Sequence, residues 1–159
     1  MKIALIGYGK MGKTIEQIAL RRGHQIVLRV DVNNSKYIDT GDLKGADVAI
    51  EFSQPNSAAE NIRKCFKANV PVVCGTTGWY EQLDSISKDC KESSGAFFYA
   101  SNYSIGVNLF FEVNKKLAQL MNSQTQYDEV LIHESHHLEK LDSPSGTAIT
   151  LAQDVIENI

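Results

Sequence analysis

A doubly wound α/β fold built on a parallel sheet is predicted by three observations. A short, wholly apolar run, Ile3–Ile6, leads directly into a glycine cluster. Strand-length runs rich in β-branched residues then alternate with segments of helical period as far as about residue 100. Strands buried on both faces and separated by amphipathic helices are the pattern of βαβ units.

Each element has its own signal. Ile3–Ile6 reads as a fully buried strand ended by glycine. Met11, Ile15, Ile18 and Ala19 recur at helical spacing, giving a helix to Arg22 that Gly23 ends. Gln25–Asp31 is the second strand, and Val48–Phe52 the third, after a polar segment holding Gly41 and Gly45. Asn56–Ala68 has helical period with Asn56 as cap. Val70–Cys74 is a fourth strand, Tyr80–Lys91 a helix, and Ala96–Ala100 a fifth strand. After Ser104 the rhythm changes to a long helix, Gly106–Met121, and a long strand, Gln126–Glu134. A loop rich in His, Ser, Pro and Gly follows, then a last helix from about Gly146.

Composition narrows the function classes. The 159 residues are 43% hydrophobic and 22% charged, ordinary for a globular chain that needs no disulfide or metal to hold its core. Sixteen basic against nineteen acidic residues leave a net charge of −3, so neither a nucleic-acid backbone nor an anionic membrane is indicated as partner. Cys65, Cys74 and Cys90 are odd in number and widely spaced, which fits a reduced, cytoplasmic location. The apolar N-terminal stretch is far too short for a signal peptide, and no run approaches the length of a membrane span.

Gly7-Tyr8-Gly9-Lys10-Met11-Gly12 is a GxGxxG turn set between the first strand and the first helix. The first glycine permits the tight turn, the second admits a pyrophosphate to the backbone, and the third lets helix and strand pack closely. Asp31 ends the second strand 19 residues after Gly12, where a carboxylate accepts hydrogen bonds from an adenosine ribose. The fold is thus expected to be Rossmann-like, with NAD(P)H as cofactor. A carboxylate at position 31 disfavours a 2′-phosphate and no arginine follows it, so NADH is the expected preference; Asn33 and Asn34 could still hydrogen-bond a phosphate.

Three small polar loops leave the carboxyl ends of strands three to five: Phe52-Ser53-Gln54-Pro55, Gly75-Thr76-Thr77-Gly78 and Ser101-Asn102-Tyr103-Ser104. Their composition suits a nicotinamide ribose and carboxamide, and suits plain turns equally well. Further on, His133, His136 and His137 lie within five residues and are followed by Lys140 and Ser145-Gly146-Thr147 at a helix start. Such a cluster fits an anion-binding catalytic site for a small acidic substrate carried beside a nicotinamide ring, with a transferable proton on histidine and free N–H groups at the helix N-terminus. Zinc ligation and a solvated polar loop are the competing readings.

The stretch Glu134-Ser135-His136-His137-Leu138-Glu139-Lys140-Leu141-Asp142-Ser143-Pro144-Ser145-Gly146-Thr147-Ala148 resembles the E-x-H-H-x-x-K-x-D-x-P-S-G-T-A signature of 4-hydroxy-tetrahydrodipicolinate (dihydrodipicolinate) reductases of lysine and diaminopimelate synthesis. The segments 75–79 and 101–108 and the N-terminal fingerprint resemble that family too. The resemblance implies hydride transfer from NAD(P)H to C4 of the cyclic substrate, with loss of the 4-hydroxyl as water. It implies a small dicarboxylate substrate, with His136 as general acid, Lys140 assisting it and binding the substrate, and His137, Ser145, Gly146 and Thr147 on the substrate carboxylates. It implies Gly7, Gly9, Met11, Gly12, Asp31, Phe52, Gly75, Thr77, Ser101 and Asn102 as cofactor contacts, and no metal.

The expected organisation is a dinucleotide-binding domain, 1–104, and an incomplete α+β substrate-binding and catalytic domain, 105–159. Members of the family run well beyond 159 residues and are typically homotetramers. A single strand after residue 122 leaves its backbone groups unpaired. The chain is therefore expected to lack the C-terminal part of the second domain. An NAD(P)-binding module without catalysis is the alternative. An aspartate- or homoserine-type dehydrogenase is a third reading, against which the histidine–lysine signature argues.

Overall fold

The computed structural model describes residues 1–33, 40–127, 129–136, 138 and 143–159, with only the backbone at 40 and 41. The chain divides into two compact units, 1–100 and 101–159.

Among its described residues the first unit holds five strands, β1 (Lys2–Ile6), β2 (Gln25–Val30), β3 (Val48–Glu51), β4 (Val72–Cys74) and β5 (Phe97–Tyr99), in one parallel sheet of order β2-β1-β3-β4-β5. Its helices are α1 (Lys10–Arg21), a short α2 (Thr40–Leu43), α3 (Pro55–Lys67) and α4 (Leu83–Glu92). Strand alternation sends side chains to both faces, and both are buried. Ile3 and Leu5 pack with Ala19 of α1 on one face. Ala4, Ile6 and Ala49 pack with Ala58, Ile62 and Phe66 of α3 on the other. The Rossmann-like expectation therefore holds: β1 lies between β2 and β3, so the strand order reverses beside it.

Element edges differ from expectation for local reasons. Helix α3 starts one residue before Asn56, because Pro55 at its first position is preset for a helical φ; Gln54 occupies the cap and makes no side-chain cap bond. Strand β4 begins at Val72, because Val70 N–H is spent on Cys65 O at 3.0 Å and Pro71 has no N–H. The helix predicted from Tyr80 opens as a 3-10 turn, Tyr80–Gln82, before α4.

The second unit holds α5 (Ile105–Met121) and α6 (Gly146–Asn158). The Ser104 and Ser145 hydroxyls cap them, accepting from Val107 N–H at 3.4 Å and Ala148 N–H at 3.0 Å. The two helices are in contact, Phe111, Ala118 and Leu151 are buried, and Asn114 Nδ2 donates to Leu151 O at 3.0 Å. The strand predicted over Gln126–Glu134 is not formed among the described residues of that stretch. A strand exists only as half of a ladder, and Val130, Leu131 and Ile132 stand exposed with no ladder to join. Among the described residues no helix is long and apolar enough to cross a membrane, and Cys65, Cys74 and Cys90 form no disulfide.

Candidate active site

A cavity of about 320 Å³ opens at the carboxyl edge of the sheet, where the strand order reverses. It is lined by Ile6, Gly7, Tyr8 and Gly9 after β1, by Val30, Asp31 and Val32 at the end of β2, by Phe52, Ser53 and Gln54 after β3, and by Ser57 and Asn61 of α3. The three glycines of the turn have distinct reasons. Gly7 has φ +94°, and a Cβ there would stand 2.0 Å from Phe52 O. A Cβ on Gly12 would stand 2.4 Å from Gly7 O, so the third glycine is what lets α1 close on the turn. At Gly9 an added Cβ would meet nothing within 4 Å. The room beside Gly9, at the N-terminus of a 12-residue helix, fits a pyrophosphate. Met11 is exposed on the first turn of α1.

Around that turn the contacts are tight. Gly7 and Tyr8 N–H both donate to Val30 O, at 2.9 and 2.8 Å, which ties the turn to β2. The Tyr8 hydroxyl donates to Glu16, and the Arg29 guanidinium donates to the same carboxylate. Arg29, then Tyr8, hold Glu16 below the usual carboxylate range. Asp31 Oδ1 accepts from Asn33 N–H at 2.7 Å, so the acid expected to meet a ribose also shapes its own turn. Asn34 lies outside the described residues.

On the β3 and β4 side, the Phe52 ring lies over Gly75, where a Cβ would stand 2.1 Å from a ring carbon. Thr77 is exposed, whereas Thr76 is buried and turned inward. Beneath this rim sits Glu51, fully buried, whose carboxylate gathers Ser53, Asn61, Cys74 and Thr76. Sequence reasoning passed over Glu51, although an acid inside the apolar run Val48–Phe52 was a signal. It also passed over Ser57 and Asn61, whose i, i+4 spacing on α3 puts both on the cavity wall.

In the second unit, Glu134 is the organiser. Its Oε1 accepts Ser145 N–H at 2.9 Å, and its Oε2 accepts the Ser145 hydroxyl and lies 2.8 Å from His136 Nε2. The Ser145 hydroxyl, then its N–H, then His136 pull the Glu134 carboxyl down to about 2. The α6 N-terminus at Ser145, expected to hold a substrate carboxylate, here holds the chain's own. Ser145 is buried, while Gly146 is exposed and Thr147 half-buried. His137 and Lys140 lie outside the described residues. Ser101 is exposed and Asn102 half-buried at the head of this unit, with Asn102 Oδ1 accepting Ser104 N–H at 2.8 Å. Among the described residues there is no cluster of three or more metal-binding side chains.

Residues 1–103 match the family model of the dihydrodipicolinate reductase N-terminus, and residues 106–159 match that of its C-terminus. The chain belongs to the dihydrodipicolinate reductase family. It is 53% identical over 157 residues to the 4-hydroxy-tetrahydrodipicolinate reductase of Christiangramia forsetii, covering 99% of this chain and 64% of that protein. The solved structure of dipicolinate-bound dihydrodipicolinate reductase from Paenisporosarcina sp. TG-14 superposes with a TM-score of 0.70 at 27% identity, covering 99% of this chain and 66% of that one. A probable dehydrogenase from Thermotoga maritima shares the fold, with a TM-score of 0.50 at 21% identity over 78% of this chain and 41% of that one. The chain thus spans about two-thirds of the length of the family members it matches.

Proposed function

We propose that this chain carries the NAD(P)H-binding and acid–base groups for reduction of 4-hydroxy-tetrahydrodipicolinate to tetrahydrodipicolinate, a cytoplasmic step of lysine and diaminopimelate synthesis. The observation that carries this reading is the cavity at the reversal of strand order, floored by Gly7 and Gly9 and walled by Asp31, in a chain of this family. Bound there, NAD(P)H supplies a hydride. The residues assigned to hold it are Gly7, Gly9, Met11, Gly12, Asp31, Phe52, Gly75, Thr77, Ser101 and Asn102. The Asp31 carboxylate favours a free ribose over a 2′-phosphate by charge, so NADH is the proposed preference. Tighter binding of NADPH than NADH in a fluorescence titration would overturn that preference.

Residues 105–159 are assigned to the substrate. His136 is the proton donor. Charged, it donates Nε2–H to Glu134, whose carboxylate orients the ring. Lys140, His137, Ser145, Gly146 and Thr147 are assigned to the substrate's carboxylates, with Lys140 also assisting the proton transfer. Ser145 reaches a ligand only if Glu134 yields its place or shares it. For the full-length protein a homotetramer is the proposed assembly.

A second reading, a nucleotide-binding module without turnover, is favoured by one observation. Helix α5 exposes Ile105, Leu109, Val113 and Leu120 along its length, so the unit that carries His136 has a thin core. NADH oxidation with freshly made substrate separates the two. Turnover that falls 100-fold or more, to order of magnitude, in His136→Gln or Lys140→Ala, with NADH affinity unchanged, supports the reductase. NADH binding without turnover supports the module, and wild-type turnover in both variants removes the acid assignment.

A further inference from the structure

We propose that Glu51 is the positioning residue of the cofactor site. One buried carboxylate clamps the β3 and β4 loop ends together and so sets affinity for the nicotinamide half of the dinucleotide. The proposal rests on the NAD(P)H reading above.

Glu51 is the last residue of β3, paired with Ile6 of β1 and Cys74 of β4, and none of its surface is exposed. Five donors converge on it. Oε1 accepts from Ser53 N–H at 3.1 Å, from the Ser53 hydroxyl, and from Asn61 Nδ2 at 3.4 Å. Oε2 accepts from the Thr76 hydroxyl at 2.6 Å and from the Cys74 thiol at 3.1 Å. Thr76 Oγ1 in turn accepts from Ser53 N–H at 2.8 Å, closing a ring between loops 23 residues apart. Burial, and then the Glu51 charge, push the Cys74 thiol upward, which keeps it a donor.

All five donors are uncharged, so among the described residues no cationic partner offsets the burial of this acid. An apolar side chain would fill the same space without that penalty. What the carboxylate supplies instead is geometry. It draws Ser53 and Asn61, both on the cavity wall, to one oxygen of the carboxylate whose other oxygen holds Thr76. Phe52, between Glu51 and Ser53, is thereby kept with its ring over Gly75 and its face on the cavity. Asp31, which would take the ribose of the adenosine half, directly follows β2, two strands away. Loosening the clamp therefore alters one half of the site and spares the other.

The test compares NADH and ADP-ribose, which lacks the nicotinamide, in calorimetric titrations of wild type, Glu51→Gln and Glu51→Asp. An amide puts two hydrogens where only donors point, so Glu51→Gln is expected to weaken NADH about tenfold while ADP-ribose changes less than about twofold. Glu51→Asp, which keeps both acceptor oxygens, is expected to recover part of the loss. Equal loss of both ligands would make Glu51 merely structural, and no loss of NADH would leave it without a role; either overturns the proposal. Should Glu51→Gln fail to fold, Thr76→Val and Ser53→Ala remove one donor each, and the same NADH-selective loss, about threefold, is required of them. Wild type that binds neither ligand would instead refute the NAD(P)H reading.

Discussion

The two units of this chain solve the burial problem to different degrees. In residues 1–100 both faces of the sheet are covered, and Ala4, Leu5, Ile6, Ala49 and Val72 are almost wholly inaccessible. Among the described residues of 101–159 the buried apolar side chains are Phe111, Ala118 and Leu151, while Leu109, Phe110, Val113, Leu117 and Leu120 of α5 are each more than half exposed. The polar accounts differ in the same direction. Glu51 is buried with five donors, whereas Asp154, also buried, has one oxygen near Lys115 Nζ at 3.7 Å and a second with no hydrogen-bond partner among the described residues. The cavity at the carboxyl edge of the sheet is thus held by a finished frame, while among the described residues the His136 segment rests on the Glu134 carboxylate. A site shaped by close backbone approach can be complete within one unit. A site made of long side chains on an irregular segment depends on whatever orders that segment.

The comparison breaks most easily at the glycines. Gly12→Ala puts a Cβ against Gly7 O, a backbone atom that cannot turn aside. It is expected to cost about 3 kcal/mol or more, a fall in Tm of roughly 10 °C by calorimetry. Gly9→Ala meets open space, so its Tm should move by less than about 3 °C while the NADH Kd rises about tenfold. If both variants melted alike, the division between a packing glycine and a ligand glycine would fall.

Hydrogen exchange sharpens the contrast between the units. Amides of β1, β3 and β4 are expected to exchange at least roughly tenfold more slowly than those of α6, because local opening follows the density of buried apolar contacts. Equal protection would mean that the α5–α6 pair is as well supported as the sheet.

Acid titration probes the Glu134 contact. Its folded carboxyl lies at about 2, below the ordinary 4.5, so its stabilising effect is complete above about 4.5 and is lost as pH falls towards 2. Thermal melts should therefore show wild type exceeding Glu134→Gln at pH 5, with the gap closing by pH 2. A gap constant across that range would remove the Glu134–Ser145 contact as its cause.

The smallest effect is expected at Arg63. Its guanidinium joins α3 to the α4 region through Asp89 at 2.6 Å and Ser85 at 2.9 Å. The pair is about one-third exposed on each side. Arg63→Ala should cost under about 1 kcal/mol by urea denaturation and leave NADH affinity unchanged. A larger cost would mean that the outer helices hold the frame more firmly than its core does.

Much of the first unit could be read before any coordinates. The Ile3–Ile6 run, the GxGxxG turn, Asp31 and the alternation to residue 100 all carry local signals, because strand period, helix period and turn chemistry act over a few residues. The His136 and Ser145 stretch was legible as chemistry for the same reason. Tertiary structure decided the rest. Phe52 lies over Gly75, and Glu51 collects donors from Ser53, Asn61, Cys74 and Thr76, partners as far as 25 residues away that no local period announces. The apolar run Val130–Ile132 has the composition of a strand, yet composition forms no ladder without a neighbour. Short-range preferences are written residue by residue, whereas burial and hydrogen-bond satisfaction depend on which distant residues the fold brings together.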